Sequence, residues 1–144
     1  LTGKFGLLDK KRVNEQKKQS LSMLHIAGMV PSNPVKSLSG GNQQKVVILK
    51  WLAANPRILI LNAPTVGVDV GAKSEIHRII KDLAKSGMGV IVISDDIPEI
   101  MQICSRVLIM KDGRLVGESL IEDTSTEQLE AQIAYRANEM VDAI

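Results

Sequence analysis

Ile58-Leu59-Ile60-Leu61 is a run of four apolar residues without polar alternation. Two more follow at Val90-Ile91-Val92-Ile93 and Val107-Leu108-Ile109-Met110. Short runs this rich in Ile, Val and Leu read as strands covered on both faces, the mark of a mainly parallel sheet in an α/β layer fold. Between the first two runs, Ile76, Ile79, Ile80 and Leu83 recur at helical spacing and form one apolar stripe, which Gly87 and Gly89 end. Between the second and third, Ile97, Ile100, Met101 and Cys104 repeat that spacing. Asp96 is placed as the N-cap there, with Glu99 three residues on and Pro98 in the first turn. Residues 57–111 therefore read β-α-β-α-β, with two right-handed crossovers.

Downstream, Asp112-Gly113 is a two-residue hairpin signal leading into a short strand, Arg114–Gly117. Ser125 and Gln128 have the spacing of a capping box for a last helix carrying Leu129, Ile133, Ala137, Met140 and Ile144. Upstream, the pattern predicts a helix over 9–27, stopped by Gly28 and Pro31. A second runs from Gly41 to Ala54 and is closed by Asn55-Pro56.

Composition bounds the function classes. The chain has 144 residues, 44% hydrophobic and 24% charged, with a net charge of +2. That is a globular balance, neither disordered nor disulfide-stapled. No apolar run approaches the roughly 18 residues needed to span a bilayer. Cys104 is the only cysteine, which excludes an internal disulfide and fits a reducing cytoplasmic compartment. Phe5, Trp51 and Tyr135 are the only aromatics, too few to stack successive bases. With near-neutral charge, this argues against nucleic acid as a partner. The charge is nonetheless polarised. The first twenty residues hold Lys4, Lys10, Lys11, Arg12, Lys17 and Lys18 against Asp9 and Glu15, and residues 118–144 are strongly acidic. The first block reads as a solvated helix face, with a membrane surface or acidic partner as its other reading.

Leu38-Ser39-Gly40-Gly41-Asn42-Gln43-Gln44-Lys45 carries the chemistry. Two glycines before a helix let a backbone approach a ligand closely. The helix start adds free N–H groups and about half a unit of positive charge. Ser39 contributes a hydroxyl and Gln43 an amide. Together these suit a phosphate. A tight turn with a serine cap is the plainer reading of the same residues.

The longer pattern resembles the ATP-binding-cassette ATPases. It joins the Ser-Gly-Gly string to an apolar strand and then to Pro64-Thr65-Val66-Gly67-Val68-Asp69. Phe5-Gly6-Leu7-Leu8, Val70-Gly71-Ala72-Lys73 and Lys111-Asp112-Gly113-Arg114 extend it. The likeness is greatest to the second cassette of sugar-import ATPases of the ribose, xylose and galactose type, and runs from about Phe5 to Glu118. It implies a partial P-loop NTPase core with a mainly parallel sheet, plus part of a helical subdomain. Residues 1–55 would be part of that signature subdomain, 56–118 the C-terminal half of the RecA-like core, and 119–144 a helical extension. It also implies that Ser39, Gly40, Gly41 and Gln43 close over the γ-phosphate of ATP held by an opposing cassette, and that Asp69 lies in the loop crossing between the two sites. From the residues alone, Asp69 is an N-cap or turn residue before a helix starting near Ala72.

Three departures from the family pattern matter. Leu61-Asn62-Ala63-Pro64-Thr65 stands where the family has Leu-Asp-Glu-Pro-Thr. The resemblance gives the first carboxylate to Mg²⁺ and the second to the attacking water. Asn62 has the shape but not the charge, and Ala63 cannot accept a proton, help that is typically worth about 10²–10⁴-fold. Asp95 occupies a switch position that is histidine in many cassettes, and its residue-level role is to cap the next helix. His25 and His77 read as surface residues on helices. No G-x-x-x-x-G-K-[ST] phosphate loop occurs, which leads to the expectation of a fragment or an interrupted reading frame. ATP and Mg²⁺ are then expected for the parent family, and weakly or not at all for this chain alone, with no metal ligands of its own. The implied partners are a second cassette, transmembrane permease subunits and, indirectly, a solute-binding protein, at the cytoplasmic face of the cell membrane. A sheet lacking its phosphate-loop strand is expected to self-associate.

Overall fold

The computed structural model describes residues 34–138. The basic block, the helix expected over 9–27 with His25, and the positions Met140 and Ile144 lie outside them. A single 3-10 turn, Val35–Ser37, precedes α1 (Gly40–Leu52), β1 (Ile58–Asn62), α2 (Val70–Lys85), β2 (Gly89–Ile93) and α3 (Ile97–Ile103). A hairpin of β3 (Arg106–Lys111) and β4 (Arg114–Leu120) follows, then a 3-10 turn and α4 (Thr126–Asn138).

Local chemistry sets these boundaries. Asp69 Oδ1 accepts from the Ala72 N–H at 2.9 Å and starts α2, and Asp96 Oδ1 accepts from the Glu99 N–H at 3.0 Å and starts α3. Each satisfies a donor that the first helical turn leaves unpaired. Before α4 the capping box is complete: the Ser125 hydroxyl accepts from the Gln128 N–H at 3.3 Å, and the Gln128 side-chain oxygen accepts from the Ser125 N–H at 3.0 Å. Asp112 and Gly113 both have positive φ, 48° and 73°, as the two-residue hairpin turn with matching twist requires.

The Gly89 N–H donates to the Arg57 carbonyl at 3.0 Å, and the Ala63 N–H donates to the Ile93 carbonyl at 2.8 Å. Partners rise together along both strands, so β1 and β2 run parallel. This register sets Ile58 beside Gly89, Ile60 beside Ile91 and Asn62 beside Ile93. β3 and β4 pair antiparallel from Arg106 opposite Leu120 to Lys111 opposite Arg114, with an irregularity between Ile109 and Met110.

Two expectations are corrected here. The third apolar run, β3, was expected in one sheet with the other two, short of a phosphate-loop strand among them. Among the described residues it pairs with β4 in a separate two-stranded sheet. The tight Asp112-Gly113 turn delivers β4 as its immediate neighbour, and a local pairing closes at little entropic cost. Nor are the strands covered on both faces. In β1, Leu59 and Leu61 are buried while Ile58 and Ile60 are 61% and 62% exposed. An unbroken apolar run reports what the strand can bury, not what lies against it.

The described chain falls into two compact units, one holding residues up to Leu59 together with Pro64–Val90, the other Ile60–Ala63 and the chain from Ile91 onward. In the first, Ile48 of α1, Leu59 of β1 and Ile76, Ile79 and Ile80 of α2 are buried. Each such side chain contributes about 1.5–3 kcal/mol on burial. His77 is buried with them, against the expectation of a surface position. The inward face of α2 includes consecutive residues Ile76 and His77 as well as the 3.6-period stripe, so it is wider than the stripe alone suggested. In the second unit, Leu61, Ile109 and Leu129 are buried, and α3 lies against α4.

Candidate functional site

In the first unit, Ser39 is the N-cap of α1 in extended conformation, and its hydroxyl takes only a long contact, 3.4 Å, from the Asn42 N–H. Ser39 and Gly40 are exposed, and Gly41 is buried. The N–H groups of a first helical turn have no partner within the helix and carry its partial positive charge outward. Ser39 and Gly40 therefore present a hydroxyl and a backbone donor at one accessible helix end, with Gly41 buried behind them. Gln43 behaves differently: its Nε2 donates to the Leu38 carbonyl at 2.8 Å, so its donor stiffens the turn.

The turn before α2 is close by. A Cβ on Gly40 would meet the Gly67 carbonyl oxygen at 3.4 Å, and one on Gly41 would fall 2.2 Å from the Ala72 Cβ. Only glycine fits at 41, so this glycine serves helix packing. Asp69 caps α2, as the residue-level reading expected, within two residues of Gly67. The sequence reading missed Lys45. It is 3% exposed and pairs with Glu75 of α2. Its signal was present but silent: Lys45 is one helical turn beyond Gly41, on the same side of α1, and nothing local names the partner 30 residues on.

The other ends of α1 and α2 border an open cleft lined by Asn55, Pro56, Arg57, Ser86 and Gly87, among others. Helix C-termini carry partial negative charge. The cleft therefore suits a phosphate less well than the N-terminal turns do.

In the second unit, Asn62 ends β1 with Ala63 immediately after it, and Asp95 follows β2. The hydrogen bond from the Ala63 N–H to the Ile93 carbonyl brings the two strand ends together, so the structure does join these three sequence positions at one sheet end. Ala63 sits at φ 48°, in the left-handed region, directly before Pro64. Asn62 and Asp95 are exposed. Beside them, the Ser94 hydroxyl donates to Glu99 Oε2 at 2.8 Å and accepts from the Asp96 N–H at 3.1 Å, and Glu99 is 3% exposed. Burial, then the Glu99 charge, pushes the Cys104 thiol above its ordinary value. Asp96 caps α3, as its spacing to Glu99 predicted; the capping role also read for Asp95 does not hold.

This strand end does not fit Mg²⁺. Asn62 offers a neutral amide where a hard cation favours carboxylate, and among the described residues no three His, Cys, Asp or Glu side chains converge as metal ligands. Ala63 offers no base.

Known proteins resemble this chain. The family model described as ABC transporter matches residues 6–66, which include both the Ser39–Gln43 turn and Asn62-Ala63. The ribose import ATP-binding protein RbsA 2 of Rhizobium meliloti is 55% identical over 85 residues, 59% of this chain and 17% of that protein. Ribose import ATP-binding protein RbsA of a Ruegeria species is 46% identical over 125 residues, 87% of this chain and 24% of that protein. The chain thus spans about a fifth of the length of these curated relatives. Among solved structures, a dimeric ATP-binding cassette in a post-hydrolysis state, bound to ADP and Pi, superposes with a TM-score of 0.68 at 27% identity, covering 81% of this chain and 50% of that one. A nucleotide-free cassette gives 0.73 at 20% identity, over 91% of this chain and 49% of that one, a likeness of fold alone.

Proposed function

Because the chain belongs to the ABC transporter family of ATP-binding cassettes, we propose that it is part of the ATP-binding subunit of a carbohydrate importer, acting through its Ser39–Gln43 turn on ATP held by a partner cassette. The observation that carries this reading is the accessible N-terminus of α1. There Ser39 and Gly40 are exposed at the helix start, Gly41 is buried behind them, and Gln43 braces the loop. An anion at this position is attracted by the helix end and by several donors at once. Ser39, Gly40 and Gly41 supply the γ-phosphate contacts, and Asp69 holds the neighbouring turn at the same face.

The chain's own strand end has no catalytic part in this reading. Asn62 and Ala63 replace the metal-holding and water-activating carboxylates of the family pattern, and Asp95 stands at the switch position. Hydrolysis would belong to the partner's site. The parent would sit at the cytoplasmic face of the membrane, against permease subunits served by a solute-binding protein. Among the described residues no helix is long and apolar enough to cross a membrane. The two missing carboxylates also favour a second reading, a non-catalytic interaction module or a remnant without a transport role. The genomic reading frame separates the two: an in-frame upstream phosphate loop supports the first, and a stop codon or frameshift the second.

The direct test is association with an intact ATP-binding cassette, followed by size-exclusion chromatography with and without ATP. Co-elution should depend on ATP and be lost in Ser39→Glu, which sets a like charge against the phosphate. Association that ignores both ATP and this substitution would refute the reading.

A further inference from the structure

Three contacts lie along the line where α1 meets α2. Gly40 approaches the Gly67 carbonyl, Gly41 admits the Ala72 Cβ where no side chain fits, and one turn further along α1 Lys45 pairs with Glu75. Gly41 and Lys45 are four apart on one helix, and Ala72 and Glu75 three apart on the other. Both pairs therefore share a face and meet as neighbouring rungs. The ion pair is unequal. Lys45 is almost wholly buried, whereas the Glu75 side chain is 51% exposed. An ammonium held that deep depends on its partner, because removing the carboxylate leaves a buried charge uncompensated. The neighbouring glycine contact has no slack, because any larger residue at 41 would collide with Ala72. A tight steric rung beside a charged one fixes both the separation and the slide of the two helices.

Each helix starts at a turn on this same end. Ser39 caps α1, and Asp69 caps α2. We propose that Lys45 is a positioning residue: through Glu75 it ties the Ser39–Gly41 turn to the Asp69 turn, so that the two open and close as one body. Lys45 does not touch the phosphate. It acts by keeping the donors of one turn in fixed register with the other. The functional meaning of this coupling rests on the phosphate-facing reading of Ser39–Gly41, but the coupling itself needs no nucleotide.

The test is native-state amide hydrogen exchange on the full 144-residue chain without nucleotide, read residue by residue by NMR. Amides of Asn42 and Gln43 report one turn, those of Ala72 and Lys73 the other, and the β3–β4 hairpin serves as reference. Lys45→Met keeps the stem and removes the charge; Glu75→Gln removes the partner. Each should speed exchange in both turns by a common factor of about tenfold, leaving the hairpin unchanged. Lys45→Arg, which keeps the pair, should stay within about twofold of the unaltered chain. Faster exchange at one turn only, or equal behaviour of the Arg and Met variants, overturns the proposal. If Lys45→Met also strips protection from the buried α2 amides at Ile76 and Ile79, Glu75→Gln decides by the same two outcomes. That carboxylate is half exposed, and its loss leaves the packed helix faces intact. Loss of ATP-dependent association would refute the phosphate reading without altering these exchange rates, and a failed coupling would leave that reading standing.

Discussion

Ala63 carries two departures at one position: it lacks the carboxylate of the family pattern, and its backbone lies at φ 48° before a proline. A left-handed conformation costs an alanine on the order of 1 kcal/mol, and a following proline restricts the residue further. Glycine escapes that penalty but gives part of the gain back through its freer unfolded state. Ala63→Gly should therefore stabilise the chain by about 0.5–1 kcal/mol, and Ala63→Val should destabilise it by about 1–2 kcal/mol because a β-branched side chain tolerates this region least. Urea unfolding would show the order Gly, Ala, Val; a chain in which Gly is the least stable would mean that the backbone at 63 is not held as described. The missing carboxylate was legible in the sequence. The strained backbone was not legible, and the Ala63 N–H finds its partner, the Ile93 carbonyl, thirty residues away.

At the scale of elements, the helix starts were the most legible features. Asp69, Asp96 and the Ser125–Gln128 pair act where their residue types and spacing placed them, because a cap is a contact across only three residues. The start of α4 also titrates. A backbone hydrogen bond at Glu127, then the Ser125 hydroxyl, holds the Glu127 carboxyl below its ordinary range. The folded form therefore favours the ionised group. Its contribution is complete above the ordinary glutamate range and is lost as pH falls through the lowered folded value. The first turn of α4 should accordingly loosen in acid, visible as shifts of the Ser125–Gln128 amides that Glu127→Gln removes. Amides indifferent to pH between about 6 and 3 would count against this bond. Strand pairing was less legible. The three apolar runs are strands, and Asp112-Gly113 announced the β3–β4 hairpin, but composition could not show that among the described residues this hairpin would form a sheet separate from β1 and β2.

For the molecule as a whole, the exposed apolar face sets the behaviour in solution. Within the second unit, Ile60 lies beside Ile91 on the face of β1 and β2 that also carries Ile93, and all three are about half exposed or more. Contiguous apolar surface of this kind promotes association. The chain should form concentration-dependent oligomers by size-exclusion chromatography with light scattering, and Ile60→Lys should shift it toward monomer. A clean monomer at every concentration would show that this face is satisfied within one copy.

The sequence by itself determined the helix caps, the hairpin turn, the Ser39–Gly41 turn at a helix start and the absence of a carboxylate at Asn62 and Ala63. These are properties of residue type at short spacing, so they survive without knowledge of what lies far along the chain. Only the tertiary structure decided that Gly41 must be glycine because of Ala72, that Lys45 is buried against Glu75, that His77 points inward, and which face of β1 is bare. Each depends on which surfaces meet after the chain has folded back on itself. A periodic pattern can report that a face is apolar, but not which neighbour covers it.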